Sequence, residues 1–407
     1  MSKVLVIICE YNPFHNGHLY QLNESIKAIQ PDFVVCIMSG NFVERGNTAL
    51  INKWARAEMA LKSGVDMVIE LPTIYSISSA ENFASGSIKI LNSLKCDTFL
   101  SFGSECGDID ILNRFADILV KEPSEYVTML NHELAKGLSF PKARENAMLL
   151  YINDIRNSAN VLSGSNNILG IEYLKQIIKT GNSITPITIK RVGAEYNSLS
   201  IVGNIASATA IREMLLQKKS VKNLMPKSSY SILEQELGNG RFVLDISQFE
   251  REIIYKLRCM NIEQIANLPD VTEGLEYKIK EAANVCNNLE TLKFMIKSKR
   301  YTLSRINRIL LYALLDITKQ DYINSQKINP YIRILGLNEN GKILLSELSQ
   351  NKKLNIITSV KQFMDSSNNK SLKSMLSKDI LATNIYTLGY KKNPDANLDF
   401  TKKLIVV

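Results

Sequence analysis

Glu10-Tyr11-Asn12-Pro13-Phe14-His15-Asn16-Gly17-His18 follows at once on an apolar run, Val4 to Cys9, and leads into a helical pattern from Leu19 onward. The run before it has the β-branched content of a buried parallel strand, so the chain reads strand, tight turn, helix. At such a junction the unpaired amides and positive dipole end of the helix face a bound anion, and a phosphate is the expected guest. Pro13 and Gly17 suit a constrained turn in which backbone and ligand approach closely. His15 and His18 stand three apart, which puts both imidazoles on one side of the first helical turn. The chain has 3 histidines; the third, His132, falls on a polar stretch and reads as a surface residue. One histidine near a strand end is usually a satisfied polar group. A His-x-Gly-His cluster at a strand-to-helix turn points instead to phosphate chemistry.

The same unit repeats downstream. Asp32 to Ser39 is another buried-strand run, closed by Gly40. Asn41 to Gly46 lacks strand alternation and carries Arg45. It reads as a loop at the carboxyl edge of the second strand, where ligands of open α/β sheets bind, with a plain surface loop as the competing reading. Thr48 to Ser63 is amphipathic and holds Trp54, the only tryptophan, taken as a packing residue. Gly64 ends that helix; Val65 to Leu71 is a third strand, Ala80 to Leu94 a helix, and Thr98 to Phe102 a fourth strand ending at Gly103. These strand-to-helix units predict an α/β fold built on a doubly wound parallel sheet.

Beyond Asp108 to Asn157, which is helical in pattern, Ser165-Asn166-Asn167 opens another helix with Ser and Asn as cap candidates. Ile184 to Ile189 is a fifth strand. Lys190 and Arg191 at its carboxyl end can neutralise phosphate charge, solvated edge residues being the alternative. Tyr196 to Asn204 is loop-like. Ala206 to Arg212 begins a helix that Ser207 or Thr209 could cap; hydroxyls, free amides and the Arg212 guanidinium suit a triphosphate tail. Pro226 and the serines of Leu224 to Ser229 interrupt the helical pattern and mark a boundary. Ile246 to Thr318 is almost all helix. Within it Lys297, Lys299, Arg300, Arg305 and Arg308 surround Tyr301 with no acidic residue in the segment. That is the footprint of an RNA-binding face with a ring available to stack on an unpaired base, or else of a solvated helix face. Pro330 starts a last unit: strand Tyr331 to Leu337, turn Asn338 to Gly341, helix to Leu348, strand Asn355 to Val360 and a closing helix. The division expected is a nucleotide-binding catalytic domain over 1–225, a mainly helical, basic region over 226–328 and a small C-terminal α/β module over 329–407.

Composition bounds the partners. The chain of 407 residues is 45% hydrophobic and 22% charged, with room for a sizeable core. Its net charge of +9 favours a polyanionic partner, though charge alone discriminates weakly. The 6 cysteines are scattered, with no Cys-x-x-Cys pair, which suits reduced and mostly buried thiols in a cytoplasm. No apolar run approaches a membrane span, so no membrane association is expected. No metal cage and no obligate protein partner are visible.

His15-Asn16-Gly17-His18 resembles the HIGH signature of the nucleotidyltransferase superfamily, and Ser207 to Arg212, in which Ser207 and Thr209 precede Arg212, looks like its second signature, a Ser/Thr segment closed by Arg. The longer string from Glu10 to His18 resembles one family within it, the bacterial tRNA(Met) cytidine acetate ligases, as do Ser39-Gly40-Asn41-Phe42, Arg45-Gly46 and Asn166-Asn167-Ile168-Leu169-Gly170. The resemblance runs along nearly the whole chain. It implies a HIGH-superfamily Rossmann-like fold and a ligase that activates acetate with ATP, with Mg2+ assisting, to acetyl-adenylate. The acetyl group would then pass to the wobble cytidine of elongator tRNA(Met), forming N4-acetylcytidine. It also implies catalytic roles for His15 and His18, and a nucleotide site of Ile7, Glu10, Tyr11, Asn12, Pro13, Phe14, His15, Asn16, Gly17, His18, Tyr20, Gly103, Asn166, Arg191, Ser207, Thr209 and Arg212. Two other readings share the motifs: a small-molecule adenylyltransferase or cytidylyltransferase, and a non-catalytic RNA-binding protein with a nucleotide site.

Overall fold

The structure, a computed structural model, describes residues 2–138, 140–153, 161–181, 183–192, 203–298 and 301–407. Its centre is the sheet the sequence predicts. Strands β1 (Lys3–Cys9), β2 (Phe33–Ser39), β5 (Met67–Leu71), β6 (Asp97–Ser104) and β7 (Ile184–Lys190) run parallel in the order β5-β2-β1-β6-β7. Every residue of β2 and β5 is buried, because helices cover both faces, and that is why these strands read as unbroken apolar runs. The strand order reverses between β1 and β6, so a crevice opens at their carboxyl ends.

Asn41 to Gly46 is more ordered than its sequence suggests. Strands β3 (Phe42–Val43) and β4 (Asn47–Thr48) form a short antiparallel hairpin, turned by Gly46 at φ +71. The helix expected from Thr48 therefore starts later, as Lys53–Leu61, capped by Asn52, whose side chain accepts from the Ala55 amide. Trp54 is buried, as a packing residue should be. Lys53 and Arg56 of the same helix are buried too. Lys53 Nζ lies 2.8 Å from Glu70 and 2.7 Å from Asp399, so burial is tolerated because both charges are matched.

The C-terminal stretch departs most from expectation. Strand β8 (Ile332–Leu337) pairs antiparallel with β5, and β9 (Ile356–Ile357) and β10 (Ile405–Val406) both pair with β8. Residues 329–407 thus extend the main sheet to eight strands, where the sequence suggested a separate module. The turn expected at Asn338 to Gly341 is a helix start: Asn338 caps Glu339–Ser349 by accepting from the Gly341 amide. Glycine stands at 341 because a Cβ there would lie 2.1 Å from the Asp66 carbonyl oxygen. Arg333 joins Lys53, Glu70 and Asp399 in a buried cluster, with Arg333 Nη1 2.9 Å from Glu70. All six cysteines are free; Cys36 and Cys286 are buried and Cys259 is exposed.

Candidate active site

At the carboxyl end of β1 the chain turns through Tyr11, held in the left-handed region at φ 45, and enters the helix Asn16–Ile29. The two histidines build that helix start. The Gly17 amide donates to His15 Nδ1 at 3.1 Å, and the His15 amide donates to His18 Nδ1 at 3.3 Å, a capping box made of imidazoles. The rings stack with centroids 3.7 Å apart and an interplanar angle of 22°. Because each Nδ1 accepts, each neutral ring carries its proton on Nε2. Both rings are neutral near pH 7. Burial, then Arg191 and Arg212, lowers His15 to about 3; burial, then His15 and Arg191, lowers His18 well below its ordinary value. Gly17 leaves room for this geometry, since a Cβ there would sit 3.0 Å from the His15 ring.

Three more elements converge on the turn. Arg212, in the helix Ala208–Leu216, donates to the Asn12 carbonyl at 2.8 Å, and Ser207 caps that helix by accepting from the Ala210 amide. Asn12 is buried and grips the hairpin: its Oδ1 accepts from the Leu50 amide at 2.7 Å and its Nδ2 donates to the Thr48 carbonyl. Arg56 donates to the carbonyls of Ile51, Glu10, Ser39 and Gly40, tying the ends of β1 and β2 together.

The result is a cavity of about 450 Å³ over the switch point. Of the residues expected at a nucleotide site, Glu10, Tyr11, Asn12, His15, His18, Gly103, Asn166, Arg191, Ser207, Thr209 and Arg212 line it. Gly17 and Tyr20 line a narrow adjoining recess that shares the two histidines and Arg191. Ile7, Pro13, Phe14 and Asn16 lie on neither wall. Ile7 and Phe14 are core residues, and Asn16 Nδ2 braces the turn by donating to the Asn204 and Asn223 carbonyls.

The cap expected of Ser165 or Asn166 is supplied from elsewhere. The carboxylate of Glu105, just past β6, accepts from the Asn166 and Asn167 amides and from Asn166 Nδ2 at 2.7 Å, while Gly164 holds the cap position with no side-chain bond. Glu105 thereby orients Asn166 toward the cavity, a role its sequence context did not announce. Glu44, Phe83 and Tyr173 also line the cavity. Burial and the neighbouring Glu10 carboxylate push Glu44 up to about 7.

In the basic segment, Lys299 and Arg300 lie outside the described residues, as do residues 193–202 of the loop before Ser207. Tyr301 is no open stacking platform: it is buried, its hydroxyl donates to the Thr272 carbonyl, and the Arg305 guanidinium lies 4.8 Å over its ring. Arg305 also donates to the Asp270 carbonyl, and Arg308 pairs with the Asp270 carboxylate at 3.0 Å. Asp270, outside the segment, thus engages two of its cations, Arg305 through its backbone carbonyl and Arg308 through its carboxylate. Lys297 ends the helix Leu289–Ile296. The exposed rings of this helical stretch are Tyr255, Tyr277 and Phe294.

Comparison with known proteins gives a consistent result. A family model described as HIGH Nucleotidyl Transferase matches residues 2–399. A protein of Caldanaerobacter subterraneus subsp. tengcongensis named tRNA(Met) cytidine acetate ligase is 47% identical over 405 residues, 99% of each chain. One of the same name from Acetivibrio thermocellus is 43% identical over 416 residues, 100% of each. Among solved structures, Thermotoga maritima TmcAL without ligand superposes with a TM-score of 0.93 at 36% identity, covering 100% of this chain and 99% of the other. The same protein bound with alpha-thio ATP gives 0.91 at 35%, with the same coverage.

Proposed function

The chain belongs to the HIGH nucleotidyltransferase family and, within it, to the tRNA(Met) cytidine acetate ligases, and from that premise we propose that it activates acetate with ATP and acetylates the wobble cytidine of elongator tRNA(Met). The observation that carries the chemistry is the pair of stacked, neutral imidazoles at a helix N-terminus, flanked by Arg191 and Arg212. A carboxylate oxygen of acetate attacks the α-phosphorus in line, and pyrophosphate leaves. No covalent enzyme intermediate is needed, because the work is positioning and charge stabilisation as charge spreads over the phosphoryl oxygens. His15 and His18 offer Nε2–H donors to those oxygens, and losing one such donor typically costs on the order of a hundredfold in rate. Ser207, Thr209 and Arg212 hold the departing pyrophosphate.

Mg2+ enters as part of the substrate, bound to the triphosphate. Among the described residues no group of three or more His, Cys, Asp or Glu could hold a metal ion. No described helix is long and apolar enough to cross a membrane, and we take the cytoplasm, where tRNA matures, as the place of work.

The deciding experiment is acetate-dependent exchange of labelled pyrophosphate into ATP, by wild type and His18→Ala, with and without bulk tRNA. Exchange that needs both acetate and His18 supports the adenylation step. No exchange, even with tRNA, removes the ligase reading.

A further inference from the structure

The cavity has two chemically different ends. His15, His18, Arg191, Ser207 and Arg212 make one end cationic and rich in donors, suited to a polyphosphate. At the other end Glu10 and Glu44 stand together, an oxygen of Glu10 accepting from the Glu44 amide at 3.1 Å. Two adjacent carboxylates, offset in part by Arg45 at 4.0 Å from Glu44, disfavour the triphosphate of ATP at this end. The wall here is aromatic, Phe83 and Tyr173, the latter ring 5.8 Å from that of Phe102. Flat, apolar faces beside an acceptor suit a nucleobase.

This end also faces the stretch read as tRNA-binding. Thr302 and Ser304, at the start of the helix Leu303–Leu314, line the cavity near it. The hairpin that carries Glu44 is pressed against the same helix, since a Cβ on Gly46 would lie 2.5 Å from the Arg308 backbone nitrogen.

We propose that this end is the acceptor-base subsite: a cytosine turned out of its stack lies against Phe83 and Tyr173 and donates a hydrogen bond from its exocyclic amine to the Glu44 carboxyl. The inference rests on the ligase reading above and deepens it. An ionised carboxylate, which only accepts, takes a hydrogen bond from cytosine N4 but meets an acceptor, O4, if the base is uracil. The step balances. N4 attacks the acyl carbon of the acetyl-adenylate, the C–N bond forms, and the acyl C–O bond breaks with its electron pair leaving on AMP. One amine proton passes to the departing phosphate oxygen. Glu44 is a positioning and specificity residue here; glutamine keeps an acceptor for N4, but its amide can turn to give uracil a donor and an acceptor, so it should support transfer without the preference.

The test uses the full chain, full-length tRNA transcripts carrying cytidine or uridine at the wobble position, and the variants Glu44→Ala and Glu44→Gln. Wild type should bind the cytidine transcript roughly tenfold more tightly than the uridine one. Glu44→Ala should lose that preference and about the same factor in acetyl transfer, while acetate-dependent pyrophosphate exchange stays within about twofold. Glu44→Gln should keep most of the transfer and lose the preference. The subsite is overturned if Glu44→Ala retains the preference, if exchange and transfer fall together, or if Glu44→Gln is no better than Glu44→Ala in acetyl transfer. Absence of acetate-dependent exchange in wild type would instead strike the ligase reading, and the binding preference would still report on the subsite.

Discussion

His15 is folded into a place where it cannot hold a proton, and that has a thermodynamic consequence. Its folded value of about 3 lies below the ordinary 6.5, so between those limits the unfolded chain binds more protons than the folded one. Stability is therefore full above about pH 6.5 and falls as pH drops toward 3, with His18 acting in the same direction. Urea unfolding at neutral pH and at about pH 5 should show this loss, and it should be smaller in His15→Asn, which keeps a helix cap without the titrating ring. Glu105 supplies a second test. Glu105→Ala removes three hydrogen bonds at the start of the helix Ser165–Thr180, which should cost about 1–3 kcal/mol in unfolding free energy and raise the KM for ATP through a loosened Asn166. An unchanged KM would show that Asn166 needs no such support.

At the scale of elements, the hairpin β3-β4 joins the nucleotide site to the helical stretch. Gly46 combines φ +71 with backbone contact to Asn307 and Arg308, two separate reasons against any side chain. Gly46→Ala should lower stability by about 1–3 kcal/mol or more, read from denaturant midpoints, and slow acetyl transfer beyond its effect on pyrophosphate exchange. The basic segment bears on RNA at the same scale. Arg305 and Arg308 are committed to Asp270. Charge reversal at Lys299 and Arg300 together should therefore weaken tRNA binding while sparing adenylate formation, with a reduced salt slope. Equal binding by wild type and mutant at moderate salt would remove this segment from the RNA interface.

The whole molecule is closed by charges from distant parts of the chain. Lys53, Glu70, Arg333 and Asp399 are all buried, and Lys53 Nζ reaches both carboxylates. Burial alone would raise the Asp399 carboxyl, but Arg333 and Lys53 outweigh it and hold it well below the usual carboxylate range. Its contribution is complete above the ordinary carboxylate value and lost only in strong acid. Asp399→Ala would leave two buried cations facing Glu70 and should cost about 3–5 kcal/mol. If β10 and β8 are integral to the sheet, the N-terminal and C-terminal parts should still unfold in one transition, which calorimetry can read.

Local pattern was enough to find the parallel sheet and the histidine turn. Apolar runs such as Phe33–Ser39 announce buried parallel strands, and the spacing of His15, Gly17 and His18 announces a helix start, because both signals are written within a few residues. The sequence alone also carried the family resemblance along nearly the whole chain. It left undecided everything that depends on partners far apart. Glu105 and Asn166 are 61 residues apart, Lys53 and Asp399 sit near opposite ends of the chain, and the acid that pairs with Arg308 lies outside its segment. The C-terminal strands look like a module of their own because period and turn chemistry describe a strand without saying what it pairs with. Only the tertiary structure, by matching buried charges and joining β8 to β5, placed them in the main sheet.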